Sequence, residues 1–364
     1  MNLRIPGPTA VPPEVAEAGA APMINHRGPE FAAMIARTTK GVQQVFQTKN
    51  ELATLTASGT GAMEAAVVNM IAPGDHVLVV TIGEFGDRFV NLVKTYGGLL
   101  TEQKYEQGQA ADLNRIEDAL KADPQISSVL ITHNETSTGV TNPVLPQLGK
   151  LVHSHDALLI VDAISSLSSI EVKTDEWDLD VVLSGSQKGW MTAPGLAFVS
   201  VNDRAWAKAA ATEKAQPRFY FDLKRHTEAA KSGQTPWTPA VSIWFQLDKS
   251  LELMLKEGMP NIFARHHKYA SMVRDGARGM GLELLADEGV ESDTVTAIKL
   301  PAGIDGNEVM KVARDDFQTV FAGGQGSLRG KIIRFGHLGF MTEDDITSGL
   351  DALQKTLDKV GFKK

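Results

Sequence analysis

Two stretches, "ALLIVDA" (Ala157–Ala163) and "DVVLSGSQKGW" (Asp180–Trp190), decide how this chain folds. Each is a short, almost continuously apolar run that stops at polar or small residues. Runs of this kind are strands covered on both faces, as in a parallel sheet flanked by helices. The first ends on Asp162; the second ends on Gly185 and delivers Ser186, Gln187 and Lys188. Outward from them, "LATLTA" (Leu52–Ala57), "HVLVVT" (His76–Thr81), "SSVLITH" (Ser127–His133) and "LAFVSV" (Leu196–Val201) have the same character. Helical periodicity fills residues 62–71, 87–97, 112–122 and 144–155, after an earlier helix from Phe31 to about Gln47. Alternating strand and helix predicts an α/β unit with a mostly parallel sheet.

The rhythm lapses after Asn202. A helix over Asp203–Ala215 leads into an aromatic, polar segment, "PRFYFDLKRHTEAAKSGQTPWTP" (Pro217–Pro239), and two helices follow, Ala240–Glu257 and Asn261–Met280. The remainder, with strands at Leu282–Asp287, Thr294–Leu300, Gln318–Gly323 and Lys331–Gly336, reads as a small α+β unit. Prolines in "IPGPTAVPPEV" (Ile5–Val15) forbid a regular helix or central strand before Pro13, so the N-terminus reads as an arm lying over something. The expected organisation is an arm over 1–25, a large domain over 26–255 and a small C-terminal domain over 256–364.

Composition narrows the chemistry. The 364 residues exceed one small core, and 43% apolar with 22% charged is ordinary for a soluble globular protein. No apolar run approaches the roughly 18 residues of a membrane span, and the start does not read as a signal peptide, so a cytoplasmic protein is expected. The net charge is −8 and the basic residues are scattered, which argues against nucleic acid as a partner. There is no cysteine, so disulfides, thiolate nucleophiles, iron–sulfur clusters and Cys-ligated zinc are excluded.

Ligands of open α/β sheets sit beyond the carboxyl ends of the strands, and those ends carry a distinctive set of residues. Ser58, Gly59 and Thr60 open a helix after the first strand. They read either as a phosphate cradle at a positive helix end or as a Gly-rich turn with a hydroxyl N-cap. A dinucleotide fingerprint fails because Glu64 stands where the third glycine belongs, and no P-loop is present. Phe85, between glycines in "IGEFGDR", could stack on a planar ring or belong to the core. "NETSTGV" offers Glu135, Thr136, Ser137 and Thr138, for which capping the next turn is the ordinary explanation. Asp162 closes a buried strand, which is costly unless the carboxylate is paired or hydrogen-bonded. Lys188 lies one crossover later; held in a crevice it becomes an amine nucleophile, and otherwise it is a surface charge. Arg334, near the end of a strand in the small unit, offers a planar fork for a carboxylate or a structural salt bridge. Together these residues match what pyridoxal phosphate requires: a lysine for its aldehyde, an acid for its ring nitrogen and donors for its phosphate.

At this point the sequence resembles the class V pyridoxal-phosphate aminotransferases, specifically the alanine–glyoxylate and serine–glyoxylate group. The resemblance rests on "IPGPT", "NHRGPEF", "SGTGAMEAAVVN", "PGDHVLVV", "GEFGDR", "THNETSTGV", "IVDAISSL", "SGSQKGW", "TPWTP" and "GKIIRFGHLG", in order along nearly the whole chain. It implies the fold-type I transferase architecture and a homodimer with active sites at the subunit interface. It implies Lys188 as the Schiff-base lysine, Asp162 as partner of the ring nitrogen, and Ser58, Gly59, Thr60 and Gln187 as phosphate binders. Phe85 falls at the ring-stacking position and Thr136 near the cofactor's phenolic oxygen. Arg334 matches the substrate carboxylate clamp, with Gly7 close to the substrate. Thr235 and Thr238 match residues that reach the phosphate of the neighbouring subunit. The implied reaction moves an amino group from a small amino acid, alanine or serine, to glyoxylate or pyruvate, with the freed Lys188 amine as general base.

Other readings compete. A cysteine desulfurase of the same fold needs a cysteine that is missing. A 2-aminoethylphosphonate or phosphoserine transaminase needs further cations, for which Arg27, Arg88, Arg218 and Arg225 are unplaced candidates; an aspartate transaminase of the same class is the other alternative. A nicotinamide dehydrogenase lacks its third glycine. A binding subunit without catalysis, in the manner of relatives labelled soluble hydrogenase, does not explain the whole cofactor set. "HSHD" (His153–Asp156) places its histidines on different helix faces, so no metal site is expected, and "RHHK" (Arg265–Lys268) reads as a solvated helix face. "AGGQGSLRG" (Ala322–Gly330) reads as a loop feeding the Arg334 strand.

Overall fold

The computed structural model describes residues 1–362. Its centre is a seven-stranded sheet in the order Glu51–Leu55, Ala197–Val201, Val181–Gly185, Leu158–Asp162, Ile126–Thr132, His76–Thr81, Leu99–Lys104. Within it all strands except Ala197–Val201 run the same way. The link 186–196 contains no helix, and without a crossover the chain returns antiparallel. Alternate residues of the central strands enter two different cores. Val129, Ile131, Leu159 and Val161 join one, and Leu130, Leu158 and Ile160 join the other. Both faces are therefore buried, which is why these strands read as unbroken apolar runs.

A second, four-stranded sheet runs Asn2–Arg4, Thr319–Gly323, Ile332–Gly336, Val295–Lys299. Its core joins Ile298, Phe321, Ile333 and Phe335 to the helices Met259–Gly279, Gly306–Phe317 and Glu343–Lys359. The N-terminal arm adds its first residues to the edge of this sheet, parallel to Thr319–Phe321. It then crosses to the large sheet, where the Thr9 N–H donates to the Gln187 carbonyl.

Several local expectations need correction. Leu99–Lys104 is a strand that its polar composition concealed; it is the edge of the large sheet, and Leu99 is exposed. Leu282–Asp287 is not a strand and contributes only a single bridge, Leu284 to Ile298. The aromatic segment contains a helix, Leu223–Lys231, capped by the Asp222 side chain. "RHHK" is not all solvated: His266 is buried, and its Nε2 accepts the Gly339 N–H at 3.0 Å. His153 does not stand free either; it pairs with buried Asp180.

Candidate active site

The strand ending in Asp162 pairs directly with the strand that leads to Lys188, and Asp162 stands beside Leu183. Beyond these ends lies a cavity of about 290 Å³, lined by Gly7, Pro8, Gly59, Thr60, Phe85, Arg88, Ile164, Gln187, Lys188 and Pro194. The segments after four parallel strands, Glu51–Leu55, His76–Thr81, Leu158–Asp162 and Val181–Gly185, thus meet at one edge of the sheet, as expected of an open α/β fold.

Lys188 is buried. Its Nζ donates to the Pro6 carbonyl of the arm at 2.5 Å, and its own carbonyl accepts the Thr9 hydroxyl at 2.9 Å. Burial and, next, the Arg334 charge lower the amine, against Asp162, to about 8. Gly7, with φ +132°, is placed so that a Cβ would come within 2.8 Å of Lys188 Nζ. The backbone can approach the amine there only without a side chain.

Asp162 is buried and accepts one hydrogen bond, from the Ile164 N–H at 2.9 Å. Burial, with a smaller push from Glu135, raises its carboxyl to about 7, against the Ile164 bond and the Lys188 and Arg88 charges. A carboxylate so little satisfied has bonding capacity left for a ligand.

Ser58 is the N-cap residue of the helix Gly59–Met70, but its hydroxyl caps nothing. The positive helix end is therefore left to other anions. The Gln187 side-chain oxygen is buried without a partner. Phe85 faces the cavity, with the Arg88 guanidinium 4.7 Å from its ring centre. Arg88 also donates to Thr60 Oγ1 at 2.8 Å. This is the residue that sequence reasoning left unplaced; its i,i+3 spacing from Phe85 on the helix Glu84–Thr95 was the available signal. The other three arginines go elsewhere. Arg27 donates to the Thr235 carbonyl, Arg218 to those of Ala209 and Gln216, and Arg225 pairs with Asp222.

Arg334 is buried and forms no salt bridge among the described residues. Its Nε donates to the Gly323 carbonyl at 2.8 Å and its Nη1 to the Thr136 carbonyl at 2.9 Å. Burial lowers its pKa, against the nearby charges of Glu135 and Glu84. Thr136 itself is buried. Thr235 and Thr238 are not brought to the cavity within one chain; Thr235 Oγ1 donates to the Trp237 carbonyl, and Thr238 is exposed.

Residues 7–346 match the family model described as Aminotransferase class-V. The chain belongs to the class V aminotransferases. Among the relatives of this aminotransferase, a protein named soluble hydrogenase, small subunit, from Synechococcus sp. is 41% identical, over 99% of this chain and 94% of that one. The serine–glyoxylate aminotransferase of Hyphomicrobium methylovorum is 36% identical, over 99% of this chain and 90% of its own. Among solved structures, alanine–glyoxylate aminotransferase from Nostoc sp. superimposes with a TM-score of 0.94 at 28% identity, covering 98% of this chain and 95% of that one. The fold is that of the pyridoxal-phosphate-dependent aminotransferases, and no helix among the described residues is long and apolar enough to cross a membrane.

Proposed function

We propose that this aminotransferase holds pyridoxal 5′-phosphate at Lys188 and transfers the amino group of alanine or serine to glyoxylate or pyruvate. The observation that carries this reading is the pairing of Lys188 and Asp162, both buried, on adjacent strand ends beside one cavity. The residues present fit the cofactor. The uncapped helix end at Ser58, Gly59 and Thr60, with the unpartnered Gln187 side chain, suits its phosphate. Phe85 suits a ring face, the Thr136 hydroxyl a phenolic oxygen, and Asp162 a ring nitrogen. When bound, the cofactor supplies an electron sink for the electrons of the substrate Cα–H bond.

The chain's own residues do the rest. Asp162 holds a proton at the bottom of the site, where burial has already made its carboxyl basic. Lowered to about 8, the Lys188 amine gives up its proton far more easily than an exposed lysine; its Nζ takes the substrate Cα proton and keeps it out of bulk water. Arg334 receives the substrate carboxylate with the donors its two carbonyl bonds leave unused. The arm at Pro6 and Gly7 covers the amine and excludes water.

A homodimer in the cytoplasm completes the proposal. Thr235 and Thr238 lie away from their own chain's cavity, beside the exposed aromatics Phe219 and Tyr220. That placement supports their reaching a neighbouring copy. A second reading, aspartate as the donor, rests on Arg88, a cation on the cavity wall with no carboxylate partner among the described residues. Its bond to Thr60 ties it to the phosphate end and favours the smaller donors.

A panel of alanine, serine, aspartate and 2-aminoethylphosphonate against glyoxylate and pyruvate tests this. Highest kcat/KM for alanine or serine is expected. Dominance of aspartate would favour the second reading, and dominance of the phosphonate would overturn both.

A further inference from the structure

One buried polar cluster takes no part in the roles above. Asn134, which opens the two-residue strand Asn134–Glu135, is 2% exposed. Its Nδ2 donates to Ser165 Oγ and to Thr294 Oγ1, both at 2.8 Å. Its Oδ1 accepts from Thr141 Oγ1 at 2.7 Å and from Ser292 Oγ at 2.6 Å. Its backbone carbonyl accepts from Ser165 Oγ at 2.7 Å. Both donors and both acceptor sites of the amide are therefore used.

The partners lie in loops that flank strands of different sheets. Ser165 follows Asp162 in the loop whose Ile164 N–H bonds the Asp162 carboxylate. Ser292 and Thr294 lead into the strand Val295–Lys299, where Ala297 lies opposite Arg334. Two residues beyond Asn134, the Thr136 carbonyl holds Arg334 Nη1. One amide thus bridges the loop that fixes Asp162 and the strand beside Arg334. An apolar contact could fill the same space, but only directional bonds fix a relative position this closely.

We propose that Asn134 is a positioning residue that sets Arg334 relative to Asp162 and Lys188. It thereby aligns a bound substrate's Cα with the Lys188 amine when its carboxylate sits on Arg334. The proposal rests on the reading of Arg334 as the carboxylate clamp. Misplacement by about 1 Å in such an arrangement costs on the order of a hundredfold in rate.

The test is a double-mutant cycle on the cofactor-loaded enzyme, crossing Asn134→Leu with Arg334→Ala. Thr294→Val serves as a milder second variant should Asn134→Leu fail to fold. Donor kcat/KM, cofactor affinity by fluorescence titration and Tm are measured for each. Asn134→Leu is expected to lower donor kcat/KM about 10- to 100-fold, and Thr294→Val several-fold, with cofactor affinity nearly unchanged. In the Arg334→Ala background either substitution should add little, because the residues act through one another. A lowered Tm with wild-type donor kcat/KM would make Asn134 merely structural and overturn the proposal. So would an equal effect with and without Arg334. If Arg334→Ala itself leaves donor KM unchanged, the clamp reading fails and the proposal with it; if it raises KM while Asn134→Leu leaves donor kcat/KM unchanged, only the proposal fails.

Discussion

Glu135 and Asp162 are buried acids at the same edge of the large sheet, at the ends of two neighbouring stretches of chain. Glu135 accepts four hydrogen bonds, from the N–H groups of Phe85, Gly86 and Ser137 and from the Ser137 hydroxyl. Asp162 accepts one. Burial raises the pKa of both. The difference separates structure from chemistry. Glu135 spends its whole capacity fastening the start of the helix Glu84–Thr95, which carries Phe85 and Arg88. Asp162 leaves most of its capacity unused by protein. Capping of the Thr136 turn explains only the two Ser137 bonds; the other two hold the start of a helix that follows a separate strand.

The contrast breaks most visibly if the Lys188 amine beside Asp162 proves dispensable. Lys188→Ala should reduce transamination by more than about 10⁴-fold, measured with the best donor; substantial turnover would remove Lys188 from the chemistry. Asp162→Asn should slow turnover by about 10²- to 10⁴-fold while cofactor remains bound. Near-native rates there would show that the spare capacity of Asp162 is unused. Arg334→Ala should raise donor KM about 10- to 100-fold, the worth of charge-assisted hydrogen bonds to a carboxylate, and an unchanged KM would place the carboxylate elsewhere.

Glu135→Gln sharpens the contrast from the other side. An amide must aim N–H at donors that a carboxylate accepts, so a loss of about 1–3 kcal/mol in stability is expected. Denaturant unfolding reads this directly, and kcat should fall far less than in Asp162→Asn; the reverse order would exchange the two roles. The smallest effect is in the pH dependence of the cofactor-free protein. The folded Asp162 carboxyl sits near 7, above its unfolded value, so the folded state binds the extra proton in that window. Its contribution to stability is therefore fully present below the unfolded pKa and is lost as pH rises towards 7. As pH rises from about 4 to about 7, Asp162→Asn should gain stability relative to the parent, and parallel curves would refute the shift.

The sequence revealed the central strands because two-sided burial writes itself as unbroken apolar runs. It placed Asp162 and Lys188 at one edge of the sheet because their strands are neighbours. It concealed whatever depends on distant partners. Leu99–Lys104 is polar because an edge strand has one wet face. His266 looks solvated within "RHHK" until Gly339 arrives from 73 residues away. Asn134 drew no notice because its Thr294 partner lies 160 residues along the chain. Arg88 was seen but not placed, since helix spacing tells which face a residue shares and not what that face meets.

Borohydride reduction of the cofactor-loaded protein, followed by digestion and peptide mass mapping, goes straight to the assignment of Lys188. A pyridoxyl adduct on the peptide containing Lys188, and on no other lysine, is the predicted result. An adduct elsewhere, or an unmodified Lys188 in fully loaded protein, would contradict it.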